Sequence, residues 1–204
     1  MSLQEVFKQI VKETITPLFK SKGFKKSGNN FAKTFTDFSW AVNIQLSRHN
    51  TKEELEFTIN TGIYTDKLFG TLNEWEPPKF PREQESVLRA RISELKEESD
   101  NWYKLNPESD LEKIKKQLQS DILFLIFPYF YQMLTIEDVI RELEIRDEVG
   151  KFENPHHLTI LYHFHGLNKM AQSRIKRVYT EQTLCSQKEF TKELAERLGL
   201  ALFY

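Results

Sequence analysis

Alternation between apolar and polar residues from Phe38 to Ile63 constrains the fold of this chain more than any other feature. Every second residue from Phe38 to Leu46 is apolar, and after a polar turn the apolar positions are Leu55, Phe57, Ile59 and Ile63. Successive side chains of a strand point to opposite sides, so this pattern predicts two adjacent antiparallel strands with one buried face. The other face is rich in neutral amides and hydroxyls, and the apolar face needs a cover.

Two amphipathic helices are predicted to cover the apolar face. Residues 3–22 carry apolar side chains at intervals of three and four, with Pro17 expected to kink or loosen the helix and Gly23 expected to end it. From Asp110 onward the period is again helical, and the chain becomes almost wholly apolar toward Phe130. The sixteen phenylalanines predict a core built on aromatic rings.

Three further strands are predicted, at Phe31–Phe35, Val87–Leu95 and Trp102–Leu105. Between them, residues 65–86 predict an irregular connection, because Gly and Pro interrupt the run. The rings of Trp75 and Phe80 favour a loop pinned to the core over a mobile lid.

Together these elements predict an α+β fold, a mostly antiparallel sheet of about four or five strands packed by an N-terminal and a later helix. Residues 1–133 form the predicted α+β domain, and residues 134–204 form an all-helical C-terminal extension. Helix starts are predicted at the Thr135–Asp138 and Ser186–Glu189 capping boxes. A third start is predicted at Asn154-Pro155, opening a helix that continues to about Thr180.

Composition predicts a cytoplasmic protein with neither nucleic acid nor membrane as a partner. The net charge is −1, the longest apolar run (Ile122–Tyr131) is too short to span a bilayer, and the one cysteine, Cys185, cannot form an internal disulfide. Lysines do cluster near Gly23, at positions Lys20, Lys22, Lys25, Lys26 and Lys33. The negative end of a helix dipole accounts for them, and a phosphate-binding patch is the alternative.

The polar sheet face is the candidate ligand-binding site. Its predicted residues are Asn43, Gln45, Asn60, Arg89 and Arg91, joined by Thr58. Amides and two guanidinium groups on one face suit a carboxylate, a phosphate or a peptide backbone. Two alternatives stay open: the arginines pair with acids such as Glu56 and Asp100 on a solvated face, or the C-terminal helices cover the face.

Other patterns give weaker functional signals. Glu94-Leu95-Lys96 resembles the acid-x-Lys step of metal-dependent nucleases, which need two carboxylates on one divalent ion. The histidines at positions 156, 157, 163 and 165 include no pair at the i, i+4 spacing of a zinc site on a helix. Cys185 has no base placed beside it by the sequence, no Gly-rich phosphate loop is present, and no metal or cofactor is predicted.

Several short stretches follow one another along the chain: Pro17-Leu18-Phe19, Gly23-Phe24-Lys25-Lys26, Asn43-Ile44-Gln45, Asn60-Thr61-Gly62, and Arg91-Ile92 with Asp100-Asn101-Trp102-Tyr103. Through these stretches, residues 4–133 resemble a bacterial family known as domain of unknown function 4304. The resemblance implies an α+β domain with no assigned activity and no agreed catalytic residues. We therefore expect a non-enzymatic binding or protein-interaction module for a protein partner or a small anionic ligand. The alternative is a metal-dependent phosphodiester hydrolase.

Overall fold

The fold is taken from a computed structural model, which describes residues 1–73, 76–99, 102–151 and 154–202. The chain forms two compact units, one made of residues 1–64 and 78–134 and the other of residues 65–77 and 135–204. A compact unit is not by itself an independently folding domain, so the domain boundary after residue 133 stays a prediction.

An antiparallel sheet is the centre of the first unit. Its strands are β1 (Lys25–Ser27), β2 (Asn30–Thr34), β3 (Ser39–Leu46), β4 (Leu55–Tyr64), β5 (Leu88–Arg91) and β6 (Tyr103–Leu105). They pair in the order β1-β2-β3-β4-β5, and β6 pairs with the other end of β4, on residues Leu55–Phe57. The α+β class is confirmed.

Eight helices occur within the described ranges. They are α1 (residues 3–21), α2 (Asp66–Leu72), α3 (Ile92–Leu95), α4 (residues 111–131), α5 (Ile136–Glu148), α6 (His157–Phe164), α7 (Asn168–Glu181) and α8 (Cys185–Arg197). None of them, taken singly, combines the length and the apolarity needed to cross a bilayer; only α4 and α5 taken together as a bent pair pass that test.

Helices α1 and α4 each contain an interior proline that follows a π-helical turn. Val11–Ile15 precedes Pro17, and Ile122–Ile126 precedes Pro128. Proline has no N–H, and its ring crowds the carbonyl four residues earlier, so a wider turn before it lets the helix continue. In α1 the Thr16 Oγ1 atom donates to the Val11 carbonyl at 2.7 Å, and the backbone N–H of Thr16 bonds the same oxygen. Pro17 was expected to kink or loosen the helix, and the π turn at Val11–Ile15 is the form that this loosening takes.

Aromatic rings join α1 and α4 to the apolar face of the sheet. Ring centroids lie 5.1 Å apart for Phe7 and Phe57, 4.9 Å apart for Phe19 and Phe31, and 5.0 Å apart for the stacked pair Trp40 and Phe130. Within this core the Trp40 Nε1–H donates to the Met133 carbonyl at 3.0 Å. The predicted packing of an N-terminal and a later helix on one sheet face is confirmed.

Strand β5 is shorter than predicted. The alternation from Val87 to Leu95 continues past Arg91, but residues 92–95 form the helical turn α3. The Glu94 carboxylate accepts the backbone N–H of Arg91 at 2.8 Å, and this bond closes a helix start where the pattern predicted a strand. The first predicted strand is also displaced by one residue, to Asn30–Thr34, and pairs with the additional strand β1.

The connection at residues 65–86 is not irregular throughout. It contains helix α2 and a 3-10 turn at Glu83–Glu85. Gly70 lies inside α2 and does not end it, because the helical bonds from Phe69 to Thr65 and from Asn73 to Phe69 are made on either side. Phe80 is half-buried, whereas Trp75 lies outside the described residues.

In the second unit, the long helix predicted from Asn154 is two helices, α6 and α7. Gly166 adopts a φ of +76° between them, and the N–H of Leu167 bonds the Tyr162 carbonyl at 2.8 Å. This six-to-one bond closes α6 with a left-handed glycine. The Thr135–Asp138 capping box is present at the start of α5, whereas Ser186 lies inside the first turn of α8 and caps nothing.

Gly62 of β4 has no room for a side chain, which yields a prediction for stability. A Cβ atom there would lie 2.6 Å from the Ser86 Cβ and 2.4 Å from its Oγ. We expect Gly62→Ala to lower the free energy of unfolding by about 1–3 kcal/mol in urea denaturation, because the central strand cannot move away. The double variant Gly62→Ala/Ser86→Gly should recover most of the loss after correction for Ser86→Gly alone. Full additivity of the two changes would contradict the contact.

Candidate functional site

The strand register places one row of polar side chains across four strands. Asn30 pairs with Asn43, Asn43 with Asn60, and Asn60 with Arg91. Gln45 lies two residues along β3 on the same side, because side chains alternate along a strand. We call these five residues the polar face.

Hydrogen bonds link the polar face into a network. Asn43 Nδ2 donates to Asn30 Oδ1 at 2.7 Å, and Asn60 Nδ2 donates to Gln45 Oε1 at 2.7 Å. The Nε of Arg91 donates to Asn60 Oδ1 at 3.1 Å. Asn60 is almost fully buried, so both of its bonds are needed to offset its removal from water.

The Arg91 guanidinium is oriented from a second direction as well. Its Cζ lies 5.5 Å from the centroid of the Trp102 ring, a distance at which the ring attracts a cation. The ring and the Asn60 amide therefore restrict the side chain to one orientation.

Arg89 was also predicted to bind a ligand on this face, but it forms an ion pair with Glu83. Its Nε lies 2.8 Å from Glu83 Oε1, and the Glu83 side chain is 2% exposed. Because a buried carboxylate needs a cation, Arg89 neutralises Glu83. Of the acids expected to pair with the arginines, Glu56 contacts Lys104 at 2.6 Å, and Asp100 lies outside the described residues.

Sequence reasoning missed Asn30 and Trp102 at this site. Asn30 lies just before the predicted strand Phe31–Phe35, but in β2 its spacing from Ala32 and Thr34 places all three on one side of the sheet. Its proximity to Asn43 depends on the β2–β3 register, which the pattern alone does not specify. Trp102 was predicted only as the first residue of a strand, whereas its ring lies against the Arg91 guanidinium.

Lys96, the residue suggested for a nuclease-like site, belongs to a buried polar cluster. Its Nζ lies 2.7 Å from Asp121 Oδ2, and the Tyr103 hydroxyl donates to the same oxygen at 2.5 Å. Burial, together with the bond to Asp121, raises the pKa of Tyr103 well above its usual value. Glu94 caps α3, so the acid and the lysine of the acid-x-Lys step serve two separate local structures.

Loss of the Lys96 cation should destabilise the protein. We expect Lys96→Met to lower the free energy of unfolding by about 2–4 kcal/mol, because it leaves the Asp121 carboxylate buried without its cation. The matched control is Lys104→Met, which breaks an exposed ion pair with Glu56 and should have a much smaller effect. Equal losses in urea denaturation would contradict a structural role for Lys96.

Comparison with known proteins places the first unit in a family. The family described as Domain of unknown function (DUF4304) matches residues 15–132, more than half of the chain. The chain belongs to this family. No curated protein and no solved structure matches the chain.

The DUF4304 match contains the whole polar face and the Lys96–Asp121 pair. It ends before α5, so α5–α8 lie outside the matched region. The family description assigns no activity.

The histidines of the second unit lie on and beside helix α6. Within the described ranges, no group of three or more His, Cys, Asp or Glu side chains is placed to hold a metal ion. His156 is buried just before α6, with its ring centroid 5.3 Å from that of Phe190. Burial, and secondarily the positive charge of Arg174, lowers the pKa of His156 to about 4.

The lowered pKa of His156 predicts how stability depends on pH. The unfolded chain takes up this proton near pH 6.5 and the folded chain only near pH 4, so stability is lost as the pH falls through that window. This group should contribute about 2–3 kcal/mol of that loss. In His156→Gln, we expect the free energy of unfolding to fall less between about pH 7 and about pH 4.5. The exposed His49→Gln should keep the wild-type pH dependence, and identical profiles for all three proteins would contradict the assignment.

In the second unit, a polar pocket of about 380 Å³ lies among α5, α6 and α7. In it Arg174 holds Asp147 through two bonds of 2.5 and 2.6 Å, and Arg177 contacts the same carboxylate. Burial alone would raise the pKa of Asp147, but the two arginines outweigh burial and hold it below its usual value. The Tyr162 hydroxyl donates to Glu144 at 2.6 Å. The main charges of this pocket therefore satisfy one another.

Proposed function

We propose that the DUF4304 domain is a non-enzymatic binding module that holds a small anionic ligand on its polar face. The observation that supports this most directly is the bonding of Asn60. Its amide joins Gln45 on one side and Arg91 on the other, so three potential ligand-binding side chains are held in one arrangement.

The bonding pattern favours an anion over a cation. In each of the three bonds of the polar face the acceptor is an amide oxygen, belonging to Asn30, Gln45 or Asn60. Among the residues that the structure describes, the side-chain N–H groups of Asn30 and Gln45 donate to no acceptor. Arg91 brings to this face a guanidinium, a group whose geometry matches a planar carboxylate. A surface that offers mainly donors and a cation is suited to a carboxylate.

The network also lowers the cost of binding. Side chains that are already immobile lose little conformational entropy when a ligand arrives. Arg91 is restricted by Asn60 and by the Trp102 ring, so its guanidinium plane is set before binding.

A protein partner could be recognised through the same chemistry. An acidic side chain or a terminal carboxylate would meet the donors that a small carboxylate meets. In both cases the polar face would bind the anionic group of the ligand.

The hydrolase alternative gains no support from the part of the chain that the structure describes. Lys96 neutralises Asp121, and no group of three or more His, Cys, Asp or Glu side chains is placed to hold a metal ion within the described residues.

Gln45→Glu tests the proposal with little change in structure. A glutamate oxygen can still accept from Asn60, whereas the variant loses the amide donor and gains a negative charge. We expect glutarate to shift the amide NMR signals of residues 43–45 and 60 in the wild type, and the variant to bind it about tenfold more weakly.

Gln119→Glu is the matched control, since it adds the same charge at an exposed position of α4. It should bind glutarate as the wild type does. The proposal fails if the wild type shows no shifts at the polar face, or if the two variants bind equally well.

A further inference from the structure

The π turn of α1 forms one wall of a pocket of about 250 Å³. Lys8 and Lys12 line it from α1, and Lys26 lines it from β1. Phe7 and Val11 give it an apolar floor, and both are buried. We propose that this pocket binds a phosphate monoester.

Within the described part of the chain, no Asp or Glu oxygen lies at ion-pair distance from Lys8, Lys12 or Lys26. Glu5, one turn before Lys8, accepts the backbone N–H of Ser2 at 2.7 Å and interacts with Lys8 only at longer range.

The three lysines concentrate positive charge at the pocket. Lys8 and Lys12 are four residues apart on one helix, and like charges at that spacing repel. Lys26 is held near them, because its Nζ donates to the Gly28 carbonyl at 2.5 Å and lies 5.6 Å from the Phe31 ring centroid. A bound dianion would convert the repulsion into attraction.

Ammonium groups, unlike guanidinium groups, favour phosphate over carboxylate in this pocket. Arginine matches a planar carboxylate with its two-pronged guanidinium, whereas lysine acts as a compact point charge. Three lysines around one pocket suit a group that carries nearly two negative charges on three oxygens. The apolar floor of Phe7 and Val11 suits an organic substituent on that phosphate.

The backbone explains why the pocket lies at this position. The wider turn before Pro17 is closed by the bond from Thr16 Oγ1 to the Val11 carbonyl, and Val11 and Thr16 both line the pocket. A π turn displaces the side chains that follow it relative to those of a regular helix, and such turns recur at functional sites.

This site is independent of the polar face. Lys26 pairs with Phe31 in the sheet, so it lies on the face opposite to Asn30. Either site can bind its ligand if the other does not.

The test uses phenyl phosphate, with phenol and phenylacetate as comparison compounds. Titration of the full chain at low salt, followed by amide NMR, should shift the signals of residues 8–16 and 26–29. Lys12→Gln and Lys26→Gln should each weaken phenyl phosphate binding about tenfold. Phenylacetate should bind more weakly than phenyl phosphate, and phenol should not bind.

Lys20→Gln is the matched control, because it removes the same charge from an exposed position of α1 that does not line the pocket. It should change the affinity less than twofold, and circular dichroism checks that all variants are folded. Three results would each overturn the proposal: no shifts with phenyl phosphate at millimolar concentration, equal weakening by Lys20→Gln, or equally tight binding of phenylacetate. Shifts confined to residues 43–60 would assign the phosphate to the polar face and overturn this site alone.

Discussion

Burial of strand β4 on both faces is the constraint on which the rest of the first unit depends. On one side Phe57, Ile59 and Ile63 pack into the aromatic core, and on the other Thr58 and Asn60 are also removed from water. A polar side chain inside a protein is usually hydrogen-bonded, and Asn60 obtains its partners within the sheet. Asn60 bonds Gln45 of β3 and Arg91 of β5, so the register of both neighbouring strands is tied to this one residue.

The same requirement explains why the arginines of β5 differ. Arg91 pairs in the sheet with Asn60 and is directed along the polar face, whereas Arg89 pairs with Gly62 and meets the turn that contains Glu83. Gly62 has no side chain, which allows that turn to approach the sheet closely. The two arginines on one side of β5 thus take different partners: Arg91 joins a candidate ligand site, and Arg89 pairs with a buried carboxylate.

Helix α1 shows how a covering element acquires its own chemistry. Its apolar stripe packs on the sheet through Phe7 and Phe19, and its proline requires the π turn beside which the lysine pocket opens. The first unit therefore has candidate anion sites on opposite faces of one sheet. One is built from amides and a guanidinium, and the other from ammonium groups, so their preferred anions differ.

The sequence by itself determined the α+β class, the two faces of the central strands and the helices that cover the apolar face. These follow from local periodicity, because the period of two or of 3.6 residues fixes which side chains share a face. It also identified Asn43, Gln45, Asn60 and Arg91 as residues of one face. The end of β5 at Arg91 was not predictable, because a single bond from the Glu94 carboxylate turned a strand pattern into a helix start.

Only the tertiary structure decided which polar groups meet. Asn30 joins Asn43 through the β2–β3 register, Arg89 is taken by Glu83, and Lys96 is taken by Asp121. Lys26 likewise reaches the pocket of Lys8 and Lys12 only because β1 folds back beside α1. Periodicity specifies the side to which a residue points, but partners distant in sequence are set by register and packing, which no local pattern contains.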